Sequence, residues 1–124
     1  MAFTYFDTLL TDRDKLRFSI GDSKEDAGPR PDNTNYSDGE IAFFLSEEDD
    51  RLNGAAALAF ETLASEWESS SISEKDADVS YDAKNKAADF DKRAGDWRKK
   101  PGGAALAEQS TAFVTLTRVD EYTN

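Results

Sequence analysis

An alanine-rich stretch sets the architecture of this chain. Between Leu52 and Trp67, the residues Leu52, Ala56, Ala59, Phe60, Leu63 and Trp67 fall into one broad stripe at 100° per residue. Ala55 and Ala64 widen it, and so many small side chains let another helix approach closely. A strand would scatter these residues over both faces, so the segment reads as a core helix. Leu58 falls off the stripe, beside Glu61, Thr62 and Ser65. It is expected to face outward, as a lone exposed leucine or a subunit contact.

Three further helices are expected around it. Thr11 is placed to cap the first, with Asp14 in its first turn. Leu16 and Ile20 share its apolar face, and Gly21 supplies a left-handed stop. The second has the sharpest start: Ser37 and Glu40 form a capping box, and Tyr36 and Ile41 occupy the positions of a hydrophobic staple. Ile41, Phe44 and Leu45 then share a face. The fourth is expected from about Asp82 to Lys99, with Ala83, Ala87, Phe90, Ala94 and Trp97 as a narrow stripe. Its pairs Asp82–Lys86, Asp89–Arg93 and Asp96–Lys100 have the favourable acid-then-base order. Asp22 to Asn35 is rich in turn formers, and its length reads as a mobile or partner-ordered loop or as a merely variable surface loop; Ser69 to Asp78 reads as a polar linker.

Pro101-Gly102-Gly103 stops the fourth helix and reads as a hinge. Beyond it, Phe113 to Val119 is rich in β-branched and aromatic residues. One strand after a helical bundle leaves its backbone unpaired, so this tail is expected to dock on a partner by strand addition. Its partner-binding candidates are Phe113, Val114, Leu116, Val119 and Tyr122. The expected fold class is mainly α: a small four-helix bundle-like domain over residues 1–100, then a docking tail over 101–124.

Charge narrows the function. The net charge is −11, and residues 1–50 hold 13 acids and 5 bases, while residues 82–100 hold 7 bases and 4 acids. The fourth helix is thus the one basic face of an acidic protein. Sequence-independent DNA binding draws on a surplus of Lys and Arg, which this chain lacks. Glu47, Glu48, Asp49 and Asp50 crowd a helix C-terminus, where negative charge opposes the dipole. They read as a solvated turn, a lining that DNA passes without sticking, or a weak Ca²⁺ or Mg²⁺ site. An EF-hand register fails, because Gly39 at its sixth position puts Thr34 first and Leu45 twelfth.

The chain has no His and no Cys, which excludes Ser-His and Cys-His catalysis, thiolate or histidine zinc sites and disulfides. It carries no phosphate-binding glycine motif, and among 26 acids any two fit a glycosidase spacing. No apolar run approaches the roughly 20 residues of a membrane helix, and Met1 to Leu10 lacks the pattern of a secretory signal. No enzyme activity and no cofactor are expected.

The ordered combination of these pieces resembles the head–tail adaptor (head completion or connector) proteins of tailed bacteriophages. The resemblance covers roughly residues 12–99. It rests on Asp12-Arg13-Asp14-Lys15-Leu16-Arg17 leading to Ile20-Gly21-Asp22, on Ser37-Asp38-Gly39-Glu40-Ile41, on Ala55 to Trp67, and on Asp78-Val79-Ser80-Tyr81 before a helix. It implies a non-enzymatic helical bundle in the virion neck, made in the bacterial cytoplasm. It also implies a ring, usually dodecameric, between the portal protein and the next neck, stopper or tail protein, with DNA passing through unbound. The alternative from the residues alone is a soluble helical interaction module that binds a partner through its tail, and after it a carboxylate metal-binding protein.

Overall fold

The computed structural model describes residues 3–73 and 77–104. It contains four α-helices, α1 (Asp12–Ile20), α2 (Asp38–Glu47), α3 (Leu52–Ser73) and α4 (Ala77–Arg98), and no strand among the described residues. The expected helical, bundle-like class is what the chain adopts. α3 is the central element: α1, α2 and α4 all pack on it, α1 also packs on α2, and α4 packs on α3 alone among the described helices.

The ends of α1 and α2 follow their local chemistry. Thr11 Oγ1 accepts the Asp14 amide, and Gly21, at φ +78°, closes α1 with its own N–H on carbonyls of the last turn. Ser37 Oγ accepts the Glu40 amide while Glu40 Oε1 accepts the Ser37 amide, so both halves of the capping box form. Tyr36 and Ile41 are both buried, as a hydrophobic staple requires.

The core joins Leu16 and Ile20 of α1, Ile41, Phe44 and Leu45 of α2, Ala55, Ala56, Ala59, Phe60 and Leu63 of α3, and Ala94 of α4. Phe60 lies 6.0 Å from Phe90 and 6.3 Å from Trp97 between ring centroids. Trp67 stands outside this cluster, and its indole N–H donates to the Pro29 carbonyl at 2.8 Å. Leu58 packs half-buried against the core instead of facing outward. Ala57, also off the stripe, is fully buried. Both corrections have one cause: a helix covered on several sides buries more than one face.

The polar linker is shorter than expected. α3 continues through Ser69, Ser70 and Ser71 to Ser73, and α4 begins at Ala77, five residues before Asp82. Ser71 is buried, with its hydroxyl donating to the Glu68 carbonyl at 2.7 Å. A serine that bonds back to its own helix is tolerated there, and packing of one long helix on another outweighs weak local propensity.

The loop between α1 and α2 is also tied down. A 3-10 turn spans Pro31–Asn33. Arg30 stacks over Tyr36 at 4.6 Å and donates through Nε to Glu66 of α3 at 3.0 Å. Asn35 is buried and donates to Asp22 at 2.6 Å and to the Lys24 carbonyl at 2.9 Å. Length alone suggested mobility, but these buried bonds anchor the loop at both ends and in its middle.

Candidate functional site

A buried arginine organises the first half of the molecule. Arg17 is fully enclosed. Nη1 donates to Asp22 at 2.7 Å and to the Tyr36 carbonyl at 2.9 Å, Nη2 to Asp38 at 2.9 Å, and Nε to the Thr4 carbonyl at 2.9 Å. Phe3 covers the guanidinium at 4.2 Å. One side chain therefore ties the N-terminal segment, α1, the loop and the start of α2. Burial by itself would raise the Asp38 carboxyl, but the Thr4 hydroxyl and amide and Arg17 outweigh it and hold the group below the usual carboxylate range. At Asp22, burial wins and pushes the carboxyl up, against Asn35, the Tyr36 amide and Arg17. Every arm of this network is committed internally, so it builds the fold and offers nothing to a ligand.

The acidic corner between α2 and α3 is divided. Glu47, Asp49 and Asp50 are exposed, whereas Glu48 is only 6% exposed. Glu48 Oε1 accepts Arg51 at 3.0 Å and Arg98 of α4 at 2.9 Å. Glu48 is therefore a structural ion-pair partner and stands apart from the surface acids with which it was grouped as a candidate channel lining. Asp49 and Asp50 adopt left-handed backbone, at φ 55° and 58°, and make the tight corner that turns α2 into α3. Among the described residues, no group of three or more acids is arranged to hold a metal ion.

The segment expected to be a hinge is fastened to this corner. Arg98, besides Glu48, donates to Glu61 at 2.6 Å and to the Gly103 carbonyl at 3.1 Å, and Asn53 donates to the Pro101 carbonyl at 2.9 Å. Gly54 lets this happen: a Cβ there would stand 2.6 Å from Glu48 Oε1 and 3.2 Å from the Gly102 carbonyl. Residues 101–103 thus form a fixed root beside the α3 N-terminus. The tail candidates Phe113, Val114, Leu116, Val119 and Tyr122 lie outside the described residues.

Two surfaces stand apart from these networks. A groove of about 400 Å³ runs between α2 and α3, lined in part by Tyr36, Phe43, Phe44, Glu40 and Glu66. The Tyr36 hydroxyl donates to Glu66 at 3.3 Å at its edge, and burial together with the Glu66 charge raises that phenol well above its ordinary value. On α4, Asp89–Arg93 forms the expected ion pair at 3.0 Å. Lys86 and Lys100 instead lie over indole rings, Lys86 at 4.6 Å from Trp67 and Lys100 at 3.6 Å from Trp97. An indole face within reach competes with an exposed carboxylate for an ammonium group.

Sequence patterns mark the acidic run but not Arg17, Asp22, Asn35 and Arg98 as organisers. A signal for the first pair is present: an arginine beside Leu16 and Ile20, with an acid just past the glycine stop. The chain matches no protein-family model, no curated protein and no solved structure.

Proposed function

We propose that the chain is a structural head–tail adaptor of a tailed phage or phage-like particle. Copies of it form a ring between the portal and the next neck or tail protein, and the tail beyond residue 104 docks on the portal. The observation that carries the reading is the ordered set of helix signals from Asp12 to Trp97. Three features of the molecule support it. Residues 101–103 are fastened beside the α3 N-terminus, a firm root for a docking tail after them. The net charge of −11 disfavours the sticking of a passing DNA backbone. An acidic α2 edge and a basic α4 face sit on different elements of one copy, which suits head-to-tail closure of a ring. The reading assigns no reaction to the chain.

The test is a pull-down of the portal protein of the same virus by the full chain and by a chain truncated after Ala104, which keeps the root. The full chain is expected to bind the portal ring and the truncated chain to fold, with unchanged helical circular dichroism, but not bind. Absence of portal binding by the full chain sinks the adaptor reading. Parental binding by the truncated chain removes the tail from it.

A further inference from the structure

Two exposed helix faces have complementary charge and do not meet within the molecule. On α4, Tyr81, Lys84, Ala88, Lys92 and Gly95 are all exposed and lie within about 80° of arc at 100° per residue, and exposed Lys99 stands in the turn just past the helix end. The stripe and that turn residue give three lysines and no acid. Lys84 shares a shallow cleft with Glu68 and Asp91, which leaves Lys92 and Lys99 as the cations that face outward along the rest of the stripe and the turn after it. Ala88 lines the same cleft and carries only a methyl group, and a Cβ at Gly95 would meet nothing within 4 Å. On α2, Gly39, Ala42, Phe43, Ser46 and Glu47 form a second exposed stripe, and exposed Asp49 and Asp50 follow in the corner after it. Phe43 is 55% exposed at its centre.

We propose that these faces are the two halves of one contact between copies of the chain. Phe43 of one copy seats over Ala88 of the next, while Glu47, Asp49 and Asp50 meet Lys92 and Lys99. Several features favour a second copy as the occupant. The charges are opposite. An aromatic side chain faces a small residue, the arrangement of an anchor and its seat. α2 and α4 do not pack on each other across α3, so one copy cannot satisfy both faces itself. The contact is heterologous: each copy keeps one unused face of each kind, and assembly runs head to tail until it closes. The proposal rests on the ring reading for closure only; the contact itself follows from the two faces.

The chain has no cysteine, so engineered thiols report without background. A chain carrying both Phe43→Cys and Ala88→Cys is expected to give a ladder of disulfide-linked multimers under mild oxidation at millimolar concentration and low salt. Each single-cysteine chain should stay mostly monomeric, because a head-to-tail contact brings neither position to its own counterpart. Charge exchange gives a second measurement. Lys92→Glu with Lys99→Glu, and separately Glu47→Lys with Asp49→Asn and Asp50→Asn, should each weaken self-association about tenfold or more. An equimolar mixture of the two should recover it, because each reversed face meets its new complement.

A parent that stays monomeric under these conditions, a ladder absent from the double-cysteine chain, or a mixture that recovers nothing would each overturn the contact. So would loss of binding to a short random-sequence DNA duplex in Lys92→Glu/Lys99→Glu with self-association unchanged, which would mark the stripe as a nucleic-acid face. Portal binding separates this from the adaptor reading. A ladder without portal binding leaves the contact standing and the adaptor reading fallen. Portal binding without a ladder leaves the adaptor reading standing and the contact fallen.

Discussion

The two halves of this molecule are held together by different physics. The N-terminal half, from Thr4 through α1 and the loop to Asp38, is ordered around a buried cation with Asp22, Asp38 and backbone carbonyls as its acceptors. The α3–α4 hairpin is ordered around alanines, with Phe60, Leu63, Phe90 and Trp97 as its bulk. A polar network is directional: it fixes where each segment goes, but every member depends on the others. An apolar hairpin is tolerant: its stabilisation is spread over area, and no single bond decides it. A domain with little core volume uses the first to place loops and short helices and the second to supply burial.

The largest expected effect breaks the first half. Arg17→Met should destabilise by about 3–5 kcal/mol in chemical denaturation, because Asp22 is left buried without its cation. Adding Asp22→Leu should recover part of that loss. If the single variant unfolds like the parent, the polar half is not organised by Arg17.

Leu63→Ala addresses the second half. Leu63 is fully buried, and its truncation should cost about 2–5 kcal/mol, toward the lower end if the alanine-rich surroundings close over the gap. A change below about 0.5 kcal/mol would mean that α3 does not bury this face.

A smaller effect separates the halves by pH. Asp14 is held low against its own burial by the Phe6 amide, Thr11 and Arg13, and Asp38 by Thr4 and Arg17. Groups lowered by folding stabilise the native state above their unfolded values near pH 4 and lose that contribution as pH falls through the lower folded values. Asp22, raised by burial, has the opposite sign: its contribution is present below its unfolded value and fades as pH rises through the folded one. Acid should therefore loosen the N-terminal half first, and Asp38→Asn should flatten the acid limb of the stability curve. Amide exchange at pH 3 and pH 7 reads this by segment; equal loss in both halves would contradict it.

The smallest effect lies at the corner that joins the halves. Asp49→Gly should stabilise by about 0.5–1 kcal/mol, because glycine accepts the left-handed backbone there and one negative charge leaves the end of α2. A thermal melt is sufficient, and a lower midpoint than the parent's would show that the Asp49 side chain itself supports the turn.

Local chemistry made the helices legible. Thr11, Gly21, Ser37 with Glu40, and the 100° spacing of Ile41, Phe44, Phe60 and Leu63 act over three or four residues, and such signals survive in one dimension. The mainly helical class, the buried faces of α1 and α2 and both ends of α1 could be read from them. Tertiary packing decided the rest. It carried α3 through three serines, turned Leu58 inward, laid Lys86 and Lys100 on tryptophans, and drew Arg17 to Asp22 and Asp38. It also made Glu48, alike in sequence to Glu47, the one buried acid of its run, because Arg98 arrives from 50 residues away. The same arginine turned an expected hinge into a fixed root. A charge carries no mark of its partner; which opposite charge it meets, and whether water is excluded there, is set only when distant segments pack.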